Sequence, residues 1–217
     1  MMKAAIFDLD GVMVDTELLH SEAFEAILKE YGVMPEKNQQ GIVHEAGKTT
    51  PEVWETLKAK HAINADINEL TTQKREIMLP VIRAGLKPLP GLLTLLKDLS
   101  RHRLPMAVAT SAQADRVELI LDTLAIRHYF SVIVSANDVK RGKPDPEPYR
   151  KAAERLAIAP EFCVVIEDAE VGVQSARSAG MKVVAVPNEY TKRMNFDKAT
   201  TIVKSLESLS FQLLSKL

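Results

Sequence analysis

The stretch Ala4-Ala5-Ile6-Phe7-Asp8-Leu9-Asp10-Gly11 decides the fold, because an apolar run ends abruptly in two carboxylates and a glycine. Lys3 to Phe7 reads as a short buried strand. Residues two apart on a strand share a face, so Asp8 and Asp10 are expected to leave its end pointing the same way. Two carboxylates at about 4 Å repel by on the order of 4 kcal/mol near a protein surface. A divalent cation removes that cost and lets one acid attack while the other moves protons. Asp and Gly after a strand are also ordinary turn chemistry, so the rest of the chain has to decide.

Similar apolar, β-branched runs follow at Met106 to Ala109, Val132 to Val134, Cys163 to Ile166 and Val183 to Val186, separated by helical pattern. That alternation predicts an α/β fold with a Rossmann-like parallel sheet covered on both faces. Between the first strand and Met106 lies a gap too long for one crossover. It is filled with helical sequence and reads as an inserted small helical cap domain over residues 16–86, leaving 1–15 and 87–217 as the core. Leu18, Ala23, Ile27 and Tyr31 have helical spacing, Thr50-Pro51-Glu52 opens a second helix with Thr50 as cap, and a third runs from Ile67 to Ile82. Gly85, Pro88 and Pro90 mark the return to the sheet, and Lys204 to Leu217 reads as a last amphipathic helix.

Bulk properties narrow the partners. The 217 residues carry 28 Lys and Arg against 29 Asp and Glu, a formal net charge of -1, which points to no nucleic acid and no membrane as a general partner. The lone cysteine, Cys163, lies in an apolar run and reads as a buried reduced thiol. With no basic segment leading a long apolar stretch, and no run of about 18 apolar residues, a cytoplasmic protein is expected, a monomer or weak homo-oligomer.

In open parallel sheets ligands bind beyond the carboxyl ends of the strands. Four such ends carry suitable chemistry. Asp8 and Asp10 follow the first. Thr110-Ser111 follows Met106 to Ala109, offering hydroxyls and N–H groups to phosphate oxygens, although Thr and Ser before a helix are also common caps. Lys143 sits in Gly142-Lys143-Pro144-Asp145-Pro146, and Glu167-Asp168 follows Cys163 to Ile166. Paired acids at two strand ends call for a cation, and hard oxygen ligands favour Mg²⁺. Gly41 to Thr49 approximates a nucleotide-binding loop, but it has one residue too many between its glycines and no buried strand before it.

The segment Phe7 to Thr16, the Gly-Lys-Pro-Asp-Pro run and the order of the four stations resemble the haloacid dehalogenase superfamily, in its sugar-phosphate phosphatase and β-phosphoglucomutase-like branch. The resemblance spans essentially the whole chain. It implies Asp8 as nucleophile and metal ligand, and Asp10 as general acid/base and as metal ligand through its backbone carbonyl. It also implies Thr110, Ser111 and Lys143 on the phosphoryl group, Asp168 on Mg²⁺, and Glu167 as a ligand directly or through water. Asp15 and Thr16 fall at the implied cap hinge, His20 one turn beyond on the face toward the cleft, and Lys74 as a substrate-facing cation. Arg75 reads as part of a solvated helical charge run. The implied activity is Mg²⁺-dependent hydrolysis of a small-molecule phosphate ester through an aspartyl-phosphate. A sugar-phosphate mutase is the alternative, weakened because Gly47-Lys48-Thr49-Thr50 lacks the arginine that mutases carry there. A non-catalytic binding or regulatory protein on the same fold is the third reading.

Overall fold

The computed structural model describes residues 2–34 and 49–217; most of the loop weighed as a nucleotide-binding motif, Lys48 included, lies outside them. Six parallel strands form one sheet: β1 (Ala4–Phe7), β2 (Met106–Ala109), β3 (Val132–Val134), β4 (Cys163–Glu167), β5 (Lys182–Ala185) and β6 (Thr201–Ile202). Their order is β3-β2-β1-β4-β5-β6, so the chain winds one way from β1 and then the other. Each central strand is buried on both faces because its alternate residues feed two different cores. Ala5, Phe7, Met106, Val108, Val164 and Ile166 face one core, with large leucines from α4 (Leu92–Arg101) and α5 (Ala114–Thr123). Ala4, Ile6, Ala107, Cys163 and Val165 face the other, covered by α6 (Glu147–Leu156) and α7 (Glu170–Ser178). Burying a side chain such as Phe7 or Ile6 contributes about 1.5–3 kcal/mol, which makes β1 the anchor of both layers.

The long segment after β1 holds α1 (Glu17–Glu30), α2 (Thr50–His61) and α3 (Ile67–Ala84). These helices share a core of their own, with Phe24 set edge-on to Trp54 at 4.8 Å and Leu28, Leu57 and Leu70 around them. Three expectations need correction. The α1 core face is carried by Phe24, Ile27 and Leu28, whereas Leu18 and Tyr31 are 61% and 40% exposed. The cap of α2 is Thr49, not Thr50, because Glu52 reaches back to Thr49's N–H at 2.6 Å. The C-terminal run is not one helix: a short 3-10 turn at Leu206–Ser208 precedes one-turn α8 (Phe211–Leu214). Ser205 and Ser210 break it by accepting from the N–H groups of Glu207 and Leu213. The sixth strand escaped the sequence because two residues carry no periodicity. No helix among the described residues is long and apolar enough to cross a membrane.

Candidate active site

Where winding reverses, between β1 and β4, an open parallel sheet leaves a crevice at its carboxyl edge. Register fixes what fills it. Phe7 pairs with Ile166, and the Asp8 N–H bonds to the Ile166 carbonyl at 3.0 Å, so the next residues, Asp8 and Glu167, end their strands side by side.

Lys143, delivered by the loop after β3, lies between them. Its ammonium donates to Asp8 Oδ1 at 2.7 Å and to Glu167 Oε1 at 2.6 Å, and it is 4% exposed. Glu167 has no lone pair to spare. Oε1 also accepts from the Tyr149 hydroxyl at 2.9 Å, and Oε2 accepts from the N–H groups of Asp168 and Ala169 at 2.8 and 2.9 Å. Asp168 accepts from the Asn188 amide at 2.8 Å. Carboxylate oxygens of Asp8, Glu167 and Asp168 lie within 4.8 Å of one another, all buried. Three buried carboxylates against one ammonium leave uncompensated negative charge, a set of hard oxygen donors that fits a divalent cation. Electrostatics agree. Burial, with Glu167 and Asp10 adding repulsion and Lys143 opposing, raises the Asp8 pKa to about 7, and burial with Glu167 and Asp8 drives that of Asp168 well up. Against burial, Asp8 and Glu167 hold Lys143 firmly protonated.

Two glycines permit this closeness. Gly11, at φ +77°, would place a Cβ 2.2 Å from Asp168 Oδ2, and a Cβ on Gly172 of α7 would stand 1.7 Å from Glu167 Oε1. Ala is intrinsically favoured over Gly inside a helix by about 1 kcal/mol. Gly172→Ala is nevertheless expected to destabilise the protein by about 1–3 kcal/mol, because Glu167 must leave four donors to make room. Urea unfolding tests this; a stabilised Gly172→Ala protein would show that the clasp around Glu167 is slack.

Asp10 does not share the cation of Asp8. Beyond Phe7 the chain turns through Gly11, and the two acids acquire separate partners while staying close enough for Asp10 to raise the Asp8 pKa. Arg116, from the first turn of α5, forks onto Asp10 at 2.9 and 2.5 Å, and the Thr16 hydroxyl donates to Asp10 Oδ1 at 2.5 Å. Burial alone would raise the Asp10 pKa, but Arg116 and His20 hold it well below the carboxylate range. His20 lies between Arg116, whose Nη1 is 2.8 Å from Nε2, and Lys74, whose Nζ is 2.7 Å from Nδ1. Lys74 is 2% exposed, also donates to the Thr50 hydroxyl at 3.2 Å, and sits 4.2 Å over the Phe24 ring. Burial and the Arg116 charge bring its pKa down to about 7.

A cavity of about 330 Å³ lies between α2 and α3 on one side and the sheet edge on the other, lined among others by Thr110, Ser111, Arg116, His20, Lys74 and Asn137. Asp8, Lys143 and Asp168 are not part of its wall; it begins at Thr110 and Ser111 and runs outward. Thr110 is buried and its hydroxyl accepts from the Ala112 N–H at 3.1 Å. Asp15 stands apart: it is exposed and receives the Glu17 N–H at 3.2 Å at the entrance to α1. Arg75 is not a freely solvated charge but pairs with Asp115 of α5.

Sequence reasoning missed Arg116, Tyr149 and Asn188. Arg116 left one usable signal, since a cation in the first turn of a helix opposes the macrodipole and asks for another purpose.

Similarity to known proteins agrees with this geometry. The model of the haloacid dehalogenase-like hydrolase family matches residues 5–186. The fructose-1-phosphate phosphatase YqaB of Escherichia coli K12 is 35% identical over 181 residues, covering 83% of this chain and 94% of that one. A phosphorylated carbohydrates phosphatase of Thermotoga maritima is 34% identical over 191 residues, with 83% of each chain covered. Among solved structures, CbbY from Rhodobacter sphaeroides in complex with phosphate superposes with a TM-score of 0.86 at 27% identity over 96% of both chains. β-Phosphoglucomutase from Clostridium difficile gives a TM-score of 0.86 at 26% identity, covering 100% of this chain and 96% of that one. With the acids, the lysine and the threonine each following its own strand, and that match running from β1 through β5, the chain belongs to the haloacid dehalogenase-like hydrolases, in their sugar-phosphate phosphatase branch.

Proposed function

We propose that this protein is a Mg²⁺-dependent phosphatase that hydrolyses a small phosphate monoester, a sugar phosphate or a related metabolite, through an aspartyl-phosphate on Asp8. The observation that carries the reading is Asp8 itself, buried at the sheet's switch point beside Glu167 and Asp168 with one ammonium to balance them. Asp8, Asp168 and the Asp10 carbonyl would hold the metal. Glu167, its oxygens already occupied by four donors, positions Lys143 and the Asp168 backbone as it stands, and it would reach the metal, directly or through water, only by giving up one of those donors. When bound, the ion supplies the positive charge that lets an anionic nucleophile and an anionic phosphate approach.

This chain's residues account for the remaining steps. Lys143, Thr110 and Ser111 hold the phosphoryl oxygens while Asp8 attacks in line and the alcohol leaves. Asp10 gives that alcohol a proton, then takes one from the water that cleaves the aspartyl-phosphate. Gripped by Arg116 it is a carboxylate ready for the second task, and it serves the first only after the guanidinium has let go and it has taken up a proton from solvent. Residues 16–86 act as the cap that covers the cavity and selects the substrate. The pairing of Val14 with Pro88 at its base supports a hinge at Asp15 and Thr16. The compartment fitting such a metabolic role is the cytoplasm.

The test is a phosphate-release screen over small phosphomonoesters, fructose 1-phosphate among them, with Mg²⁺ and with EDTA. Release with Mg²⁺ and a loss of at least about 100-fold with EDTA are expected. Isomerisation of a hexose phosphate without release, followed by NMR, would replace the phosphatase with a mutase. Melting curves give an independent readout: metal at 100 times its Kd adds about 2.7 kcal/mol, or about 5–10 °C in Tm for a chain of this size. The rise should be large at pH 8 and small at pH 5, where protonated Asp8 no longer offers the metal a charge.

A further inference from the structure

Proton bookkeeping around His20 exposes a mismatch. A neutral imidazole has one acceptor nitrogen and a protonated one has none. Both ring nitrogens nevertheless face groups that ordinarily only donate, Lys74 at 2.7 Å from Nδ1 and Arg116 at 2.8 Å from Nε2. An arginine never accepts. If Lys74 is an ammonium, one of the two donors has no acceptor at this ring. Lys74 has the Thr50 hydroxyl and the Phe24 ring, and the acid at Asp10 already accepts from Thr16 and from both guanidinium nitrogens. Glu17, on the same helix as His20 and engaged in an interaction of its own, is attracted by both Lys74 and Arg116, although burial and the repulsion of Asp10 and Asp15 raise its pKa to about 7. This donor-rich group lines the cavity just outside Thr110 and Ser111.

We propose that Arg116 is a specificity-determining residue that reads the alcohol part of the phosphate ester. As the guanidinium loosens its fork on Asp10, its Nη1 edge, now set against Asp10 and His20, takes an acceptor oxygen of the leaving alcohol. Such an oxygen supplies the lone pairs that the imidazole lacks, leaving His20 to serve Lys74. The group selected is an alcohol bearing hydroxyl or carboxylate oxygens, as opposed to a bare alkyl chain. This rests on the reading above that the phosphoryl end lies at Asp8 and Thr110.

The experiment compares glycerol 3-phosphate, propyl phosphate and inorganic phosphate, the first two having the same number of carbons and differing in hydroxyls. Binding is measured by calorimetry with Mg²⁺ on the Asp8→Asn protein, alone and combined with Arg116→Met or Arg116→Lys. Glycerol 3-phosphate should bind the Asp8→Asn protein more tightly than propyl phosphate. Arg116→Met should weaken it by about tenfold or more while changing propyl phosphate and phosphate by no more than about twofold. Arg116→Lys, which keeps the charge and loses the fork, should recover part of the preference. A residue that only props up Asp10 would weaken all three ligands alike. That result, an unchanged glycerol 3-phosphate affinity, or no preference over propyl phosphate at the outset, overturns the proposal. Turnover separates the two readings. If the parent binds with this pattern yet releases no phosphate, the phosphatase assignment fails and the role of Arg116 stands; if it hydrolyses esters and Arg116→Met leaves its selectivity intact, only the latter fails.

Discussion

Asp8→Asn is expected to abolish phosphate release, with kcat lower by on the order of 10⁴-fold or more, while the protein stays folded. The amide keeps the size of the carboxylate and an oxygen that can accept from Lys143, but it cannot attack phosphorus to form an acyl phosphate. The folded state should gain from the change at neutral pH without metal. Burial raises the Asp8 pKa to about 7 in the folded protein from the 3.8 of a solvated side chain, so the folded state binds more protons between those values. Its contribution to stability is complete below about pH 4 and is lost as pH rises through about 7. His20, depressed by burial and its cationic neighbours, works in the opposite sense below its unfolded value of 6.5, so the comparison must be between parent and variant at each pH. Melting of both in EDTA should show Asp8→Asn ahead at pH 8 and level near pH 4. Normal phosphate release by Asp8→Asn would remove Asp8 from the role of nucleophile.

The second large effect belongs to Lys143→Met. Methionine matches the length of the stem and deletes the ammonium that both Asp8 and Glu167 share. Removing one partner of a buried ion pair typically costs about 3–5 kcal/mol, since the remaining charge is left unpaired. Here two carboxylates lose their cation, with Asp168 next to them. The loss should therefore be near its full size at pH 8 without metal and shrink toward pH 5 as Asp8 takes up a proton. Urea unfolding at the two pH values measures it. A divalent ion should restore part of the stability but not the activity, because the transferring phosphoryl group still lacks its ammonium. Equal destabilisation at pH 5 and pH 8 would point to lost packing against the Tyr149 ring, 4.9 Å from the ammonium, instead of charge.

Much of this site could be read from the chain because it lies on strand ends. Three of the four stations directly follow apolar runs whose bounds survive almost unchanged in the sheet, and parallel pairing then aligns those ends at one edge without further information. What could not be read depends on side chains that travel. Arg116 sits on a helix start, where a charge looks solvated, yet it crosses the cleft to Asp10. Tyr149 and Asn188 show no local pattern that marks them as partners of Glu167 and Asp168. Glu167 is a ligand by residue type, but the fold surrounds it with donors, and only the tertiary arrangement reveals that its lone pairs are taken. The separate partners of Asp8 and Asp10 could not be read because both residues lie beyond the last residue of the strand.

The bridge between Val14 and Pro88 has an evolutionary consequence. The path into the helical segment and the path out of it are pinned together at one point, so the sheet meets the intervening residues as a closed loop, tied to its own core through Leu19, Ala23, Met78 and Ile82. Neither its length nor its sequence enters the register of β1 with β2, and a longer loop costs little additional closure entropy. On the proposed reading of residues 16–86 as the cap, they form a cassette. Exchanging them for the corresponding piece of a relative should transplant substrate preference while leaving the chemical machinery at the strand ends in place, provided that Asp115 of α5, the partner of Arg75, is exchanged to match.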